Sequence, residues 1–164
     1  MIVYLLRHGN AEDFAAAGGD DARELTAEGR ERLQRAGACW RKLVGPVDLV
    51  LSSPLVRARQ TAALFVEAAC PQARVEEERS LEPSARPLLM LERLQACAVQ
   101  GLTGVACVGH EPHMGNLLGL LLTGHERSPI PFKKGMLAVV EVEGSSHMIG
   151  RLVAAISQKT AATF

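Results

Sequence analysis

The chain reads as an α/β protein, a three-layer α/β/α sandwich around a mostly parallel central sheet with one antiparallel edge. Three observations predict this. Short apolar runs bounded by turn residues alternate with longer segments of helical period, the signature of strand-helix-strand units. No repeat or low-complexity linker breaks that alternation, so one domain covering 1–164 is expected. The last two apolar runs are joined through Gly144-Ser145-Ser146, a hairpin-like connection that would make the far edge antiparallel.

In chain order, the strand candidates are Ile2 to Leu6, Leu49 to Ser52, Arg74 to Glu77, Gly104 to Val108, Leu137 to Val142 and Ile149 to Ile156. A helix is predicted from Ala27 to Val44, because Leu33, Ala36, Trp40 and Leu43 recur at helical spacing while Arg30, Glu31, Arg35 and Lys42 fall largely on other faces. Thr26 can cap its start and Gly45-Pro46 ends it. Further helices are expected from Val56 to Ala69, stopped by Pro71, and from Pro87 to Gln100. A fourth should run from Pro112 to Leu122, its proline placed where the missing donor costs little. Ala15 to Asp21, rich in alanine and glycine, is the best candidate for a mobile loop.

Composition narrows the function classes. Hydrophobic residues make up 48% of 164, enough for a substantial core. Eighteen basic residues balance eighteen acidic ones, so overall charge favours neither nucleic acid nor an anionic membrane as partner. Cys39, Cys70, Cys97 and Cys107 are widely spaced and form no CxxC pair; they read as reduced, buried thiols of a cytoplasmic protein. The opening apolar run meets Arg7 too soon for a signal peptide or a membrane span.

In open α/β sheets ligands bind outside the carboxyl ends of the strands, which singles out the residues that follow each strand. Arg7-His8-Gly9 follows the first, Ser52-Ser53-Pro54-Leu55-Val56-Arg57-Ala58 the second, and Gly109-His110-Glu111-Pro112-His113 the fourth. Arginines that fork onto phosphate oxygens and an imidazole able to attack phosphorus would then converge. At a helix start a cation is disfavoured by the helix dipole, so Arg57 suits an anionic partner better than a solvated surface.

These segments resemble the histidine phosphatase superfamily, whose hallmark is the Arg-His-Gly step, here Arg7-His8-Gly9. Leu25-Thr26-Ala27-Glu28-Gly29-Arg30, the run from Ser52 to Ala62 and Gly109-His110 occur in the family's order, between residue 2 and about 122. The short chain and the Arg-His-Gly-Asn-Ala variant are most similar to the SixA-type phosphohistidine phosphatase branch. The resemblance implies a phosphoglycerate mutase-like fold and a cofactor-independent phosphatase without a metal. His8 would be the nucleophile, its tautomer fixed by a backbone carbonyl, and Arg7, Arg57 and His110 would hold the phosphoryl oxygens. The lack of a long insertion before Gly109 implies an open site.

Asn10 either donates to phosphate or forms a turn, and His113 reads better as a capping or surface residue. Ser52 and Ser53 offer hydroxyls near the phosphate, and turn bonding before Pro54 explains them as well, while His125 and His147 lie in turn-like contexts. For the general acid, Glu82 is the positional candidate, although its surroundings depart from the family's glutamate-bearing motif. A labile P–N bond needs less acid assistance, which favours phosphohistidine. The implied partner is a phosphorylated protein, such as a histidine-phosphorylated transfer domain, or else a small phosphorylated metabolite. A phosphate- or phosphopeptide-binding module without turnover, and a metal hydrolase built on His8, His110 and His113, are the competing readings.

Overall fold

A computed structural model describes residues 1–144 and 148–164. The elements run β1 (Ile2–Arg7), α1 (Ala27–Leu43), β2 (Leu49–Ser52), α2 (Val56–Ala69), β3 (Arg74–Glu77), α3 (Pro87–Val99), β4 (Gly104–Gly109), α4 (His113–Thr123), β5 (Leu137–Val142), β6 (Gly150–Ile156) and α5 (Gln158–Ala161). The six strands form one sheet in the order β3-β2-β4-β1-β5-β6. Pairing is parallel from β3 through β1 and antiparallel from β1 through β6. The Gly144-Ser145-Ser146 connection and His147 involve positions outside the described residues, but the antiparallel edge it predicted is present.

Two-residue periodicity explains the layers. Val3 and Leu5 of β1, with Val105 and Cys107 of β4, pack with Met90 and Leu94 of α3 and Met114 and Leu117 of α4. Tyr4, Leu6, Ala106 and Val108 join Leu33 and Trp40 of α1 and Phe65 of α2 in a second core. Both faces of the central strands are therefore buried, which is why those strands are apolar without alternation. The four cysteines are free and buried, and burial raises their thiol pKa values, that of Cys70 to about 11.

Three local expectations need correction. Leu43 is 37% exposed, because α1 ends there and the following Val44 takes the buried place. Pro112 is the N-cap of α4 after a cis Glu111–Pro112 bond, so the helix begins at His113. His113 is buried and neither caps nor faces solvent. α4 is apolar over most of its surface and lies against the sheet, which carries its first residue inward. The short α5, capped by Ser157, was not expected, and it packs on α1.

Candidate active site

β4 lies between β1 and β2, so the carboxyl ends of these three strands adjoin. Arg7 pairs in register with Gly109, and Ser52 with Val108. The ladder continues one residue beyond each strand: His8 N–H donates to the Gly109 carbonyl at 3.0 Å and Ser53 N–H to Val108 at 2.9 Å. His8, Ser53 and His110 are thereby fixed by main chain, with the His8 and His110 ring centroids 5.0 Å apart. The second residue of α2 is Arg57, which is buried to 3% exposure.

The surrounding motifs hold this edge in place. Thr26 Oγ1 caps α1 by accepting from Gly29 N–H, and Thr26 N–H donates to the Asn10 carbonyl. A Cβ on Gly29 would stand 2.2 Å from that same carbonyl oxygen, so only glycine allows α1 to approach so closely. Thr61, one turn after Arg57, accepts from Gly9 N–H at 3.2 Å and donates to the Arg57 carbonyl at 2.7 Å. Gln60 accepts from Leu25 N–H. The Leu25-to-Arg30 and Ser52-to-Ala62 segments thus clamp the Arg7-His8-Gly9 turn from two sides.

His8 Nδ1 lies 2.7 Å from the Gly9 carbonyl, which requires Nδ1 to carry the proton and leaves the Nε2 lone pair available. Burial, reinforced by the charges of Arg57, Arg7 and Lys134 and opposed by the Gly9 bond, pushes the His8 pKa down to about 4. Near neutral pH this is a neutral imidazole able to attack phosphorus.

His110 Nε2 lies 2.8 Å from Ser53 Oγ, whereas its buried Nδ1 has no hydrogen-bond partner among the described residues. Burial and the neighbouring His8, Arg57 and His113 push its pKa down to about 3, so near neutral pH it is a neutral ring rather than a cation. If the Ser53 hydroxyl donates to Nε2, Nδ1–H is left free for an oxyanion. Arg7 Nη1 donates to the Phe132 carbonyl at 2.7 Å, and its buried Nε is unpartnered among the described residues. Arg57 likewise has a free, buried Nε. Unpartnered buried donors on two arginines and a histidine make an oxyanion the fitting guest.

The anion expected beside Arg57 is supplied partly by the chain itself. Arg57 Nη2 meets Asp20 Oδ2 at 2.9 Å and Nη1 meets the Asp20 carbonyl at 2.8 Å. Asp20 opens a 3₁₀ turn, Asp20–Ala22, in the loop after β1, and it also pairs with Arg23. Gly18 and Gly19 precede it with φ of 90° and 73°, a left-handed path that glycine takes without strain. The loop therefore lays Asp20 against Arg57 at a site that the lack of a long insertion implied would be open.

The other predicted residues are more dispersed. Asn10 lends its carbonyl to Thr26 and is among the residues lining a pocket beside the cage. Glu82 follows the 3₁₀ turn Arg79–Leu81 and is half-buried; its carboxylate makes no hydrogen bond or ion pair with the cage among the described residues. His113 sits near the Ser80 carbonyl without a well-formed hydrogen bond, and burial pushes its pKa down to about 4. His125 is exposed.

Sequence reasoning missed Asp20, Ser53 as a partner of His110, Thr61, and Glu111. Glu111 Oε2 accepts from Gly115 N–H, while burial raises its pKa against the opposing charge of Arg7. Its place directly after His110 was the available signal. Among the described residues no three His, Cys, Asp or Glu side chains are grouped to hold a metal ion.

Fold and comparisons together define a class, the phosphatases of one superfamily. The model of the histidine phosphatase superfamily (branch 1) matches residues 3–82. The phosphohistidine phosphatase SixA of Escherichia coli is 30% identical over 148 residues, covering 90% of this chain and 89% of the relative. A solved structure of the protein histidine phosphatase SixA complexed with tungstate superposes with a TM-score of 0.84 at 29% identity, covering 97% of this chain and 98% of that one. An alpha-ribazole phosphatase from Shigella flexneri shares the fold, with a TM-score of 0.67 at 20% identity over 96% of this chain and 97% of its own. The chain belongs to the histidine phosphatase superfamily and is a phosphatase with the phosphoglycerate mutase-like fold.

Proposed function

We propose that the protein is a phosphohistidine phosphatase acting on a phosphorylated protein through a covalent intermediate on His8. One observation carries the reading: a neutral His8, its Nδ1 proton held by the Gly9 carbonyl, stands among Arg7, Arg57 and His110 with Nε2 free. Nε2 attacks phosphorus as the bond to the leaving group breaks. Arg7 Nε, Arg57 Nε and His110 Nδ1 supply donors to the nonbridging oxygens, where charge must be stabilised in the transition state. Water then attacks phosphorus, the Nε2–P bond breaks, and inorganic phosphate leaves with neutral His8 restored.

Phosphohistidine suits this site because its leaving group is an imidazole, which takes its proton from solvent near pH 7 without a dedicated acid. Similarity to the Escherichia coli phosphohistidine phosphatase supports the same substrate class. A second reading, a small phosphomonoester as substrate, is favoured by Glu111, a carboxyl that burial makes easier to protonate.

The two are separated by comparing kcat/KM on a histidine-phosphorylated transfer domain with a panel of phosphomonoesters. Preference for the phosphoprotein is expected. Faster turnover of a phosphomonoester, reduced by Glu111→Gln, would replace the first reading with the second.

A further inference from the structure

A basic pocket adjoins the cage. It encloses about 720 Å³ and is lined by Asn10, Arg32, Arg35, Lys133, Lys134 and Lys159, with no carboxylate side chain among the described residues of its wall. Main chain places it next to the nucleophile. Lys133 and Lys134 directly precede Gly135, whose N–H lies 3.1 Å from both the Arg7 and His8 carbonyls, and Asn10 stands two residues after His8. The charge of Lys134 is felt at His8 itself.

The cations are not all spent on local partners. Arg32 and Arg35 pair along α1 with Glu28 and Glu31. Among the described residues Lys133, Lys134 and Lys159 meet no carboxylate within ion-pair distance. In a chain of net charge zero, this is a local concentration of positive charge rather than a general basicity. Among the described residues the wall contains no aromatic side chain on which a nucleobase could stack, which disfavours nucleic acid as the guest.

We propose that this pocket docks an acidic segment of the phosphoprotein whose phosphohistidine enters the adjoining cage. The inference rests on the function proposed above. Exposed lysines at a rim act chiefly on encounter, through long-range attraction that salt screens. Their contribution belongs to recognition of the protein and not to the chemistry at His8.

The test compares wild type with the double variant Lys133→Glu, Lys159→Glu on two substrates: a histidine-phosphorylated transfer domain bearing acidic surface residues, and free phosphohistidine. The expected result is a loss of about tenfold in kcat/KM on the phosphoprotein and a flatter dependence on salt, with free phosphohistidine hydrolysed within about twofold of wild type. Polyglutamate should inhibit the wild-type reaction on the phosphoprotein and not that of the variant. Equal losses on both substrates, unchanged turnover of the phosphoprotein, or inhibition by RNA but not by polyglutamate would each overturn docking alone. Failure of the wild type to dephosphorylate the transfer domain would instead overturn the functional reading, and docking with it.

Discussion

The Asp20 carboxylate and carbonyl hold both terminal nitrogens of Arg57, at 2.9 and 2.8 Å, on a guanidinium that is almost wholly buried. A phosphoryl group drawing on Arg57 must share it with this carboxylate or displace it. Asp20 is 60% exposed, so its hold is that of a solvent-screened pair, on the order of 1 kcal/mol or about fivefold. Asp20→Asn is expected to tighten inhibition by vanadate a few-fold and to lower KM with little change in kcat. Weaker vanadate inhibition in the variant would mean that Asp20 orients Arg57 for the substrate rather than competing with it.

The three buried imidazoles set the response to pH. Burial holds the pKa values of His8, His110 and His113 at about 4, 3 and 4, below the ordinary 6.5. Titration followed by NMR should show His8 neutral down to about pH 5. The unfolded chain takes up these protons first as pH falls below 6.5, so folding stability should decline between pH 6.5 and about 4 and be regained on raising pH. A melting temperature unchanged from pH 7 to pH 4.5, or a His8 midpoint near 6.5, would contradict this.

Ser53 positions His110. Ser53→Ala removes the 2.8 Å contact at Nε2 and frees the ring to change tautomer. A hydrogen bond of this kind is worth about 1 kcal/mol, so kcat/KM should fall roughly five- to tenfold, together with a changed His110 ring-nitrogen signal in NMR. A lower melting temperature with unchanged kcat/KM would reduce Ser53 to a purely structural role.

Gly29→Ala tests the clamp on the Arg7-His8-Gly9 turn. The added Cβ would lie 2.2 Å from the Asn10 carbonyl oxygen, a contact that backbone must yield to relieve. Overpacking of this sort costs about 1–3 kcal/mol, or roughly 2–12 °C in melting temperature for a chain of this size. Thermal melts and activity should fall together; a variant as stable and active as wild type would show that α1 does not fix the turn.

What the sequence made legible is local and periodic. β2, β3, β5 and α2 have the expected bounds because an apolar run between turn residues, or a helical repeat ended by Cys70-Pro71, has few other ways to fold. Arg7, Arg57 and His110 were legible as a group because each follows a strand end, and sheet topology gathers strand ends. The partners of those residues were not legible. Asp20 reaches Arg57 across 37 positions from a loop without periodicity, and Ser53 finds His110 across 57. His113 misled for a related reason: α4 is apolar over most of its surface, so its pattern does not show which side of the helix start faces inward.

In the proposed reaction His8 carries the phosphoryl group. Rapid-quench reaction with a histidine-phosphorylated transfer domain labelled on phosphorus should give an acid-labile, base-stable phosphoenzyme in the wild type, mapped to His8, and none in His8→Ala. A wild-type enzyme that releases phosphate with no label ever passing through His8, or a His8→Ala variant that is labelled equally, would overturn covalent catalysis by His8.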